Sequence, residues 1–183
     1  PNFQIYRAEQ IKDEQFDTAE LFIPEIINEP YYHTSNGIFS PDGKKFFFTR
    51  CKKNSKGNNI CKIYCSEKKD TTWEKAILLG PEINDKNNNF SSTHPMIMRY
   101  LKRGQKRDTI TKIIFASTMP GGHGGYDLWI ASIDENLKTK KPENMGRKVN
   151  SMLNELTPYY SKKDKSLYFS SNGHGGFGGL DIF

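Results

Sequence analysis

The sequence predicts an all-β fold, a β-propeller of four-stranded antiparallel blades that is incomplete within this chain, and three observations predict it. A long segment repeats itself without a gap. Short runs rich in aromatic and β-branched residues recur between turn signals. No segment sustains a helical period with caps at its ends.

The repeat is clearest in the second half. Ile113-Ile114-Phe115-Ala116-Ser117 aligns on Leu167-Tyr168-Phe169-Ser170-Ser171 at an offset of 54 residues. The same offset carries Gly121-Gly122 onto Gly175-Gly176, Gly124-Gly125 onto Gly178-Gly179, and Asp127-Leu128-Trp129 onto Asp181-Ile182-Phe183. A looser copy runs through Phe46-Phe47-Phe48-Thr49-Arg50 and Asn59-Ile60-Cys61. A second element recurs as Pro24-Glu25-Ile26-Ile27-Asn28, Pro81-Glu82-Ile83-Asn84 and Gly146-Arg147-Lys148-Val149-Asn150. Units of this size, each holding several short strands, read as blades.

Within a unit, an inner strand such as Asn36–Ser40 meets the turn Pro41-Asp42-Gly43-Lys44, where Asp42 and Gly43 suit the positive φ of a tight antiparallel connection. The second strand follows as Lys45–Arg50, Thr111–Ser117 or Ser166–Ser171. A glycine-rich loop leads to the third strand, Tyr126–Ser132 in the best-formed copy, and the outer strand lies near Ala76–Leu79. Residues Glu9–Glu20 read as a long loop.

Residues 1–28 then supply the outer strands of a preceding blade, 29–84 and 85–150 are whole blades, and 151–183 begin a further one, all in one propeller domain. Propellers typically need four to eight blades, so more blades, or a partner covering the raw edges, are expected.

Phe39-Ser40-Pro41-Asp42-Gly43-Lys44-Lys45-Phe46-Phe47-Phe48 resembles the repeat of TolB-type propellers, and Ser170–Phe183 is similar to repeats in Bacteroidetes cell-envelope lipoproteins, the OmpA-associated, PorE-like proteins of type nine secretion among them. The resemblance covers nearly everything from Glu20 onward. It implies a non-catalytic protein-binding or scaffold propeller in the periplasm or at the outer membrane, with other envelope proteins as partners and peptidoglycan reached only through a domain outside these residues. The sequence departs from the repeat in the first blade, where Cys51–Asn58 replaces the double-glycine loop, and in the second, where the basic run Arg99–Thr111 replaces the Pro-Asp-Gly turn.

Charge and composition narrow the alternatives. The formal charge of +6 is scattered through polar stretches without a basic helix or a compact positive stripe interleaved with aromatics, which argues against nucleic acid. No apolar run approaches the ~20 residues of a membrane span. Cys51 and Cys61 are candidates for a disulfide across two adjacent strands, while Cys61 and Cys65 share a strand face too far apart to bridge. Histidines do not sit at zinc-ligand spacing around the cysteines, and no cofactor is expected.

Asp127 and Asp181 recur at the mouths of third strands, where a carboxylate caps local backbone amides. Strand alternation sorts the loops onto two ends. Most lysines, from Lys44 and Lys45 through Lys102, Arg103 and Lys106 to Lys162, Lys163 and Lys165, belong to one. His94, His123, Tyr126, His174 and Phe177 belong to the other, which is the expected partner face. The inner-strand entrances, Ser35-Asn36-Gly37, Thr93-His94-Pro95 and Thr157-Pro158, lack the paired carboxylates of a glycosidase, and no Gly-x-Ser-x-Gly elbow occurs. The competing expectation is the gating propeller of a prolyl-oligopeptidase-like hydrolase, or a propeller glycosidase.

Overall fold

The computed structural model describes residues 2–23, 25–87, 90–101 and 109–183. Every regular element among them is a β-strand, and every strand pairing is antiparallel. No helix among the described residues is long and apolar enough to cross a membrane.

The chain opens with two small pairs: β1 (Tyr6–Arg7) with β4 (Glu20–Leu21), and β2 (Gln10–Lys12) with β3 (Gln15–Phe16). The stretch expected as a long loop therefore carries a hairpin. Glu14 takes φ 60° at its turn, and the Asp17 amide donates to the Glu9 carbonyl at 2.9 Å to close its base. These strands are two or three residues long and exposed throughout, so no buried face imprints an alternating pattern on them.

Three larger sheets follow. The first holds β5 (His33–Phe39), β6 (Lys45–Lys53) and β7 (Asn59–Lys69), with β8 (Thr72–Trp73) and β9 (Ile77–Leu78) both pairing with β7. The second runs in chain order through β10 (Ser92–Leu101), β11 (Thr109–Ser117), β12 (Asp127–Ser132) and β13 (Glu143–Asn144). The third contains β14 (Glu155–Ser161), β15 (Ser166–Ser171) and β16 (Asp181–Ile182). No closed ring of sheets is found among the described residues. Pro24 and the basic residues Lys102, Arg103, Lys106 and Arg107 lie outside the described residues.

The apolar run of β6 is continuous because both of its faces are buried. Phe47 joins Ile63, Cys65, Leu79 and Ile83 against Ile97, Ile113, Phe115 and Trp129 of the second large sheet. Phe46 and Phe48 point the other way, into a smaller core with Phe22 and Ile27. There Phe22 meets Phe46 edge-on at 5.0 Å between ring centroids. Burying each such ring is worth about 2–3 kcal/mol. At the β5–β6 turn, Gly43 supplies φ 70° and Asp42 accepts hydrogen bonds from the Ser40 hydroxyl at 2.6 Å and the Lys44 amide at 3.1 Å. The Ser40 hydroxyl above all, with Lys44 and Arg99, holds the Asp42 carboxyl at about 2.

The recurring asparagines have a common structural task. Asn84 Oδ1 accepts from the Ile63 amide at 2.8 Å, and its Nδ2 donates to the carbonyls of Ile63 (2.9 Å) and Leu79 (3.0 Å). Asn28 makes the same three bonds to Ile5 and Phe22. Asn150 accepts from the Leu128 amide at 2.8 Å and donates to the Leu128 carbonyl at 3.0 Å. Asn84 and Asn150 clip the third strands β7 and β12 at the edge where the strand beyond is short, and Asn28 clips Ile5 beside β1.

Candidate functional site

The first strands of the three large sheets, β5, β10 and β14, share one irregularity. Their registers slip between Ser35 and Ile38, between Thr93 and Met96, and between Leu156 and Tyr159. At each slip a non-glycine residue takes a left-handed backbone: Asn36 (φ 54°), His94 (φ 51°) and Thr157 (φ 47°). Such backbones are rare outside glycine, and three at one structural position mark a repeated strain rather than an isolated turn. Asn36, His94 and Thr157 line one open cavity of about 180 Å³ together with Ile38, Met96 and Tyr159.

Polar contacts tie the first two bulges together. The His94 amide donates to Thr49 Oγ1 at 3.2 Å, and Asn36 Nδ2 donates to Thr93 Oγ1 at 3.3 Å. His94 Nδ1 is buried without a hydrogen-bond partner among the described residues. Burial pushes the imidazole down to about 4, so the ring is neutral at physiological pH. The cavity therefore presents neutral donors and acceptors above an apolar floor, an arrangement that positions a neutral group by hydrogen bonding. Of these three residues the sequence singled out His94 alone as a candidate, and Asn36 and Thr157 were missed. The signal was available in the repeated placement of a polar residue before Gly37, Pro95 or Pro158.

The loops beyond the bulges are ordered by the recurring aspartates. Asp127 accepts from the His123 and Gly124 amides, and Asp181 from the Phe177 amide at 3.1 Å. The Gly125 amide donates to the Leu153 carbonyl at 2.6 Å. A Cβ on Gly124 would fall 2.5 Å from that same oxygen. These glycines thus admit the neighbouring chain segment. The amides of His123, Gly124, Gly125 and Phe177 are therefore all engaged internally.

Side chains on this end divide into two groups. His123 is exposed, Tyr126 is half-buried and the Phe177 ring stands fully in solvent. His174 is instead held inside, with Nε2 2.9 Å from the Val149 carbonyl and its ring against Phe169 and Phe183. Beside it Glu155 is fully buried, and its carboxylate accepts from the Ser151 amide at 2.9 Å, the Ser151 hydroxyl and the Ser171 hydroxyl at 2.7 Å.

A further recurrent contact ties three loop or strand amides to the residues that lead into or open β5, β10 and β14. The Phe3, Cys61 and Tyr126 amides donate to His33 Nδ1 (3.1 Å), Ser91 Oγ (3.2 Å) and Asn154 Oδ1 (3.0 Å). Cys51 and Cys61 lie opposite one another on β6 and β7 and are disulfide-bonded, with Cα atoms 4.0 Å apart. Cys65 is free and fully buried, and burial pushes its thiol up to about 12. No protein-family model, curated protein or solved structure matches the chain.

Proposed function

We propose that the three large sheets are blades of a β-propeller of TolB type and that the chain is a non-catalytic, partner-binding module of a bacterial cell-envelope assembly. The observation that carries the reading is the internal correspondence. An asparagine clip, an inner-strand bulge and an amide contact to the next sheet recur in register from unit to unit. Three devices repeating together are what identical modules arranged around a common axis require.

The exposed face of the third large sheet supports the same reading. Ile182 occupies the position of Ile63 and Leu128, opposite Ser170 as those residues are opposite Thr49 and Ala116. Ile63 and Leu128 are fully buried, whereas Ile182 is 78% exposed. A further blade on that face is part of the proposal. The Cys51–Cys61 bridge suits an oxidising compartment such as the periplasm.

The partner face is the end bearing His94, His123, Tyr126 and Phe177, where a rigid exposed ring offers contact area at small entropic cost. The rival is the lysine-rich end, where ordering long side chains offsets most of the attraction. A photo-crosslinking amino acid placed at Phe177 or at Lys163 in the native cell separates them. Capture of one discrete envelope protein from position 177, lost on adding Tyr126→Ala, is the expected result. Capture from position 163 alone assigns the partner to the other end and overturns the choice of face.

A further inference from the structure

The repeated sheets serve as internal controls for one another, and the first departs from the other two at one place. Where the second and third sheets pair Ser117 with Asp127 and Ser171 with Asp181, the first pairs Arg50 with Lys62. Where the others have a glycine-rich loop, the first has a hairpin through Lys52 and Lys53 that the Cys51–Cys61 bridge clamps at its base. The swap removes the loop-capping carboxylate and replaces it with cations around a cavity.

That cavity holds about 190 Å³ and is walled by Tyr32, Arg50, Lys52, Lys53, Lys62 and Tyr64. Arg50 forms a fixed floor. Its side chain is only 3% exposed, and its guanidinium donates to the Ile26 and Ile27 carbonyls. The same group lies 4.9 Å from the Tyr64 ring centroid and 5.7 Å from that of Tyr32. Glu29 approaches it at 3.4 Å and offsets one charge. Lys52 Nζ sits 5.7 Å above the Tyr32 ring, and no carboxylate among the described residues lines the cavity. Three lysines around an arginine already paired with Glu29, on aromatic walls, attract an anion with an apolar or planar body.

We infer that this cavity binds a small organic phosphate, with the dianionic group among Lys52, Lys53 and Lys62 and the body of the ligand against Tyr32 and Tyr64. The inference does not rest on the sheets being blades. Lysine ammonium groups are compact point charges suited to a phosphate monoester, and the buried, stacked arginine keeps the floor in place without reorganisation.

The test uses phenyl phosphate as the probe, followed by amide and side-chain chemical shifts of the intact chain. The expected result is saturable shifts confined to residues around Tyr32, Lys52, Lys62 and Tyr64, weakening at least about fivefold between about 20 and about 200 mM salt. Phenol, lacking the charge, and inorganic phosphate, lacking the ring, each bind at least about tenfold more weakly, a difference of about 1.4 kcal/mol. Lys62→Asp, which restores the residue found in the other two sheets, abolishes the shifts, and Lys62→Gln weakens them. A Lys68→Glu, Lys69→Glu double variant at the far end of β7 leaves them unchanged. Absence of localised shifts in the unsubstituted chain, or equal binding by Lys62→Asp, overturns the site. Equal binding of inorganic and phenyl phosphate overturns the assignment of the aromatic walls.

Discussion

Replacing Asn84 by alanine removes three hydrogen bonds from a buried strand edge. The Ile63 amide loses its acceptor, and the Ile63 and Leu79 carbonyls each lose a donor. Asn84 is 2% exposed, so water does not reach the vacated positions without opening the sheet. The Ile63 carbonyl keeps the Leu79 amide at 3.1 Å, which leaves the orphaned Ile63 amide as the largest single cost. An unsatisfied buried donor costs about 1–3 kcal/mol and each lost neutral bond about 0.5–1.5 kcal/mol, for a total near 4 kcal/mol. Against a whole-domain stability of about 5–15 kcal/mol, that is a large fraction. Urea unfolding followed by circular dichroism measures it directly, with a lower midpoint at unchanged slope as the expected signature. Asn28, whose bonds to Ile5 are only partly buried, should lose about half as much as an alanine variant. A loss below about 1 kcal/mol for Asn84→Ala would refute the reasoning, because the clip would then be a by-product of packing.

Three other outcomes are expected. The His94 imidazole has an ordinary value of 6.5 that burial lowers to about 4, so the unfolded chain takes up its proton first as pH falls. Stability is intact above the ordinary value and is lost as pH falls from there to the folded value, by about 2 kcal/mol at about pH 5. His94→Asn keeps a residue tolerant of the left-handed backbone, and the pH dependence of its urea midpoint should be flatter than that of the unsubstituted chain over this window. Reducing Cys51–Cys61, a pair 10 residues apart, should cost about 2–3 kcal/mol, read as a fall in thermal midpoint on adding reductant. Cys65 should stay unreactive toward a thiol reagent in both states until the chain unfolds.

How much was legible in the sequence depended on where each residue's partners lie. The second strands were readable because burial on both faces writes itself as uninterrupted aromatic and β-branched runs, as in Phe46-Phe47-Phe48. The Asp42-Gly43 turn was readable because its chemistry is local. Asn28, Asn84 and Asn150 were visible as a pattern, but their partners lie 21 to 23 residues away, and spacing alone does not reveal that they clip a strand. The bulges were hidden for a related reason. A left-handed His94 or Thr157 is imposed by the slip in strand register, against the local preference of the residue. The basic cavity was not legible because Lys52, Lys53 and Lys62 are spread over two strands and meet only across the hairpin. Comparing Lys62 with Asp127 and Asp181 across the repeat exposes the substitution.

The clips also dictate where such a chain can change length over evolutionary time. From strand residue to asparagine the separation is 23, 21 and 22 residues in the three copies, close to constant. The stretch from Asn84 to Leu128 is longer than that from Asn28 to Ile63, and the difference falls at the connection between inner and second strands. The clips of Asn28, Asn84 and Asn150 do not span that connection, so added residues there leave those three clips intact. Each module behaves as a rigid half of fixed gauge joined to a half that accepts insertions. Sequence grafted at the Asp42-Gly43 turn or between Leu101 and Thr109 should be tolerated where the same graft between Ile63 and Asn84 would not.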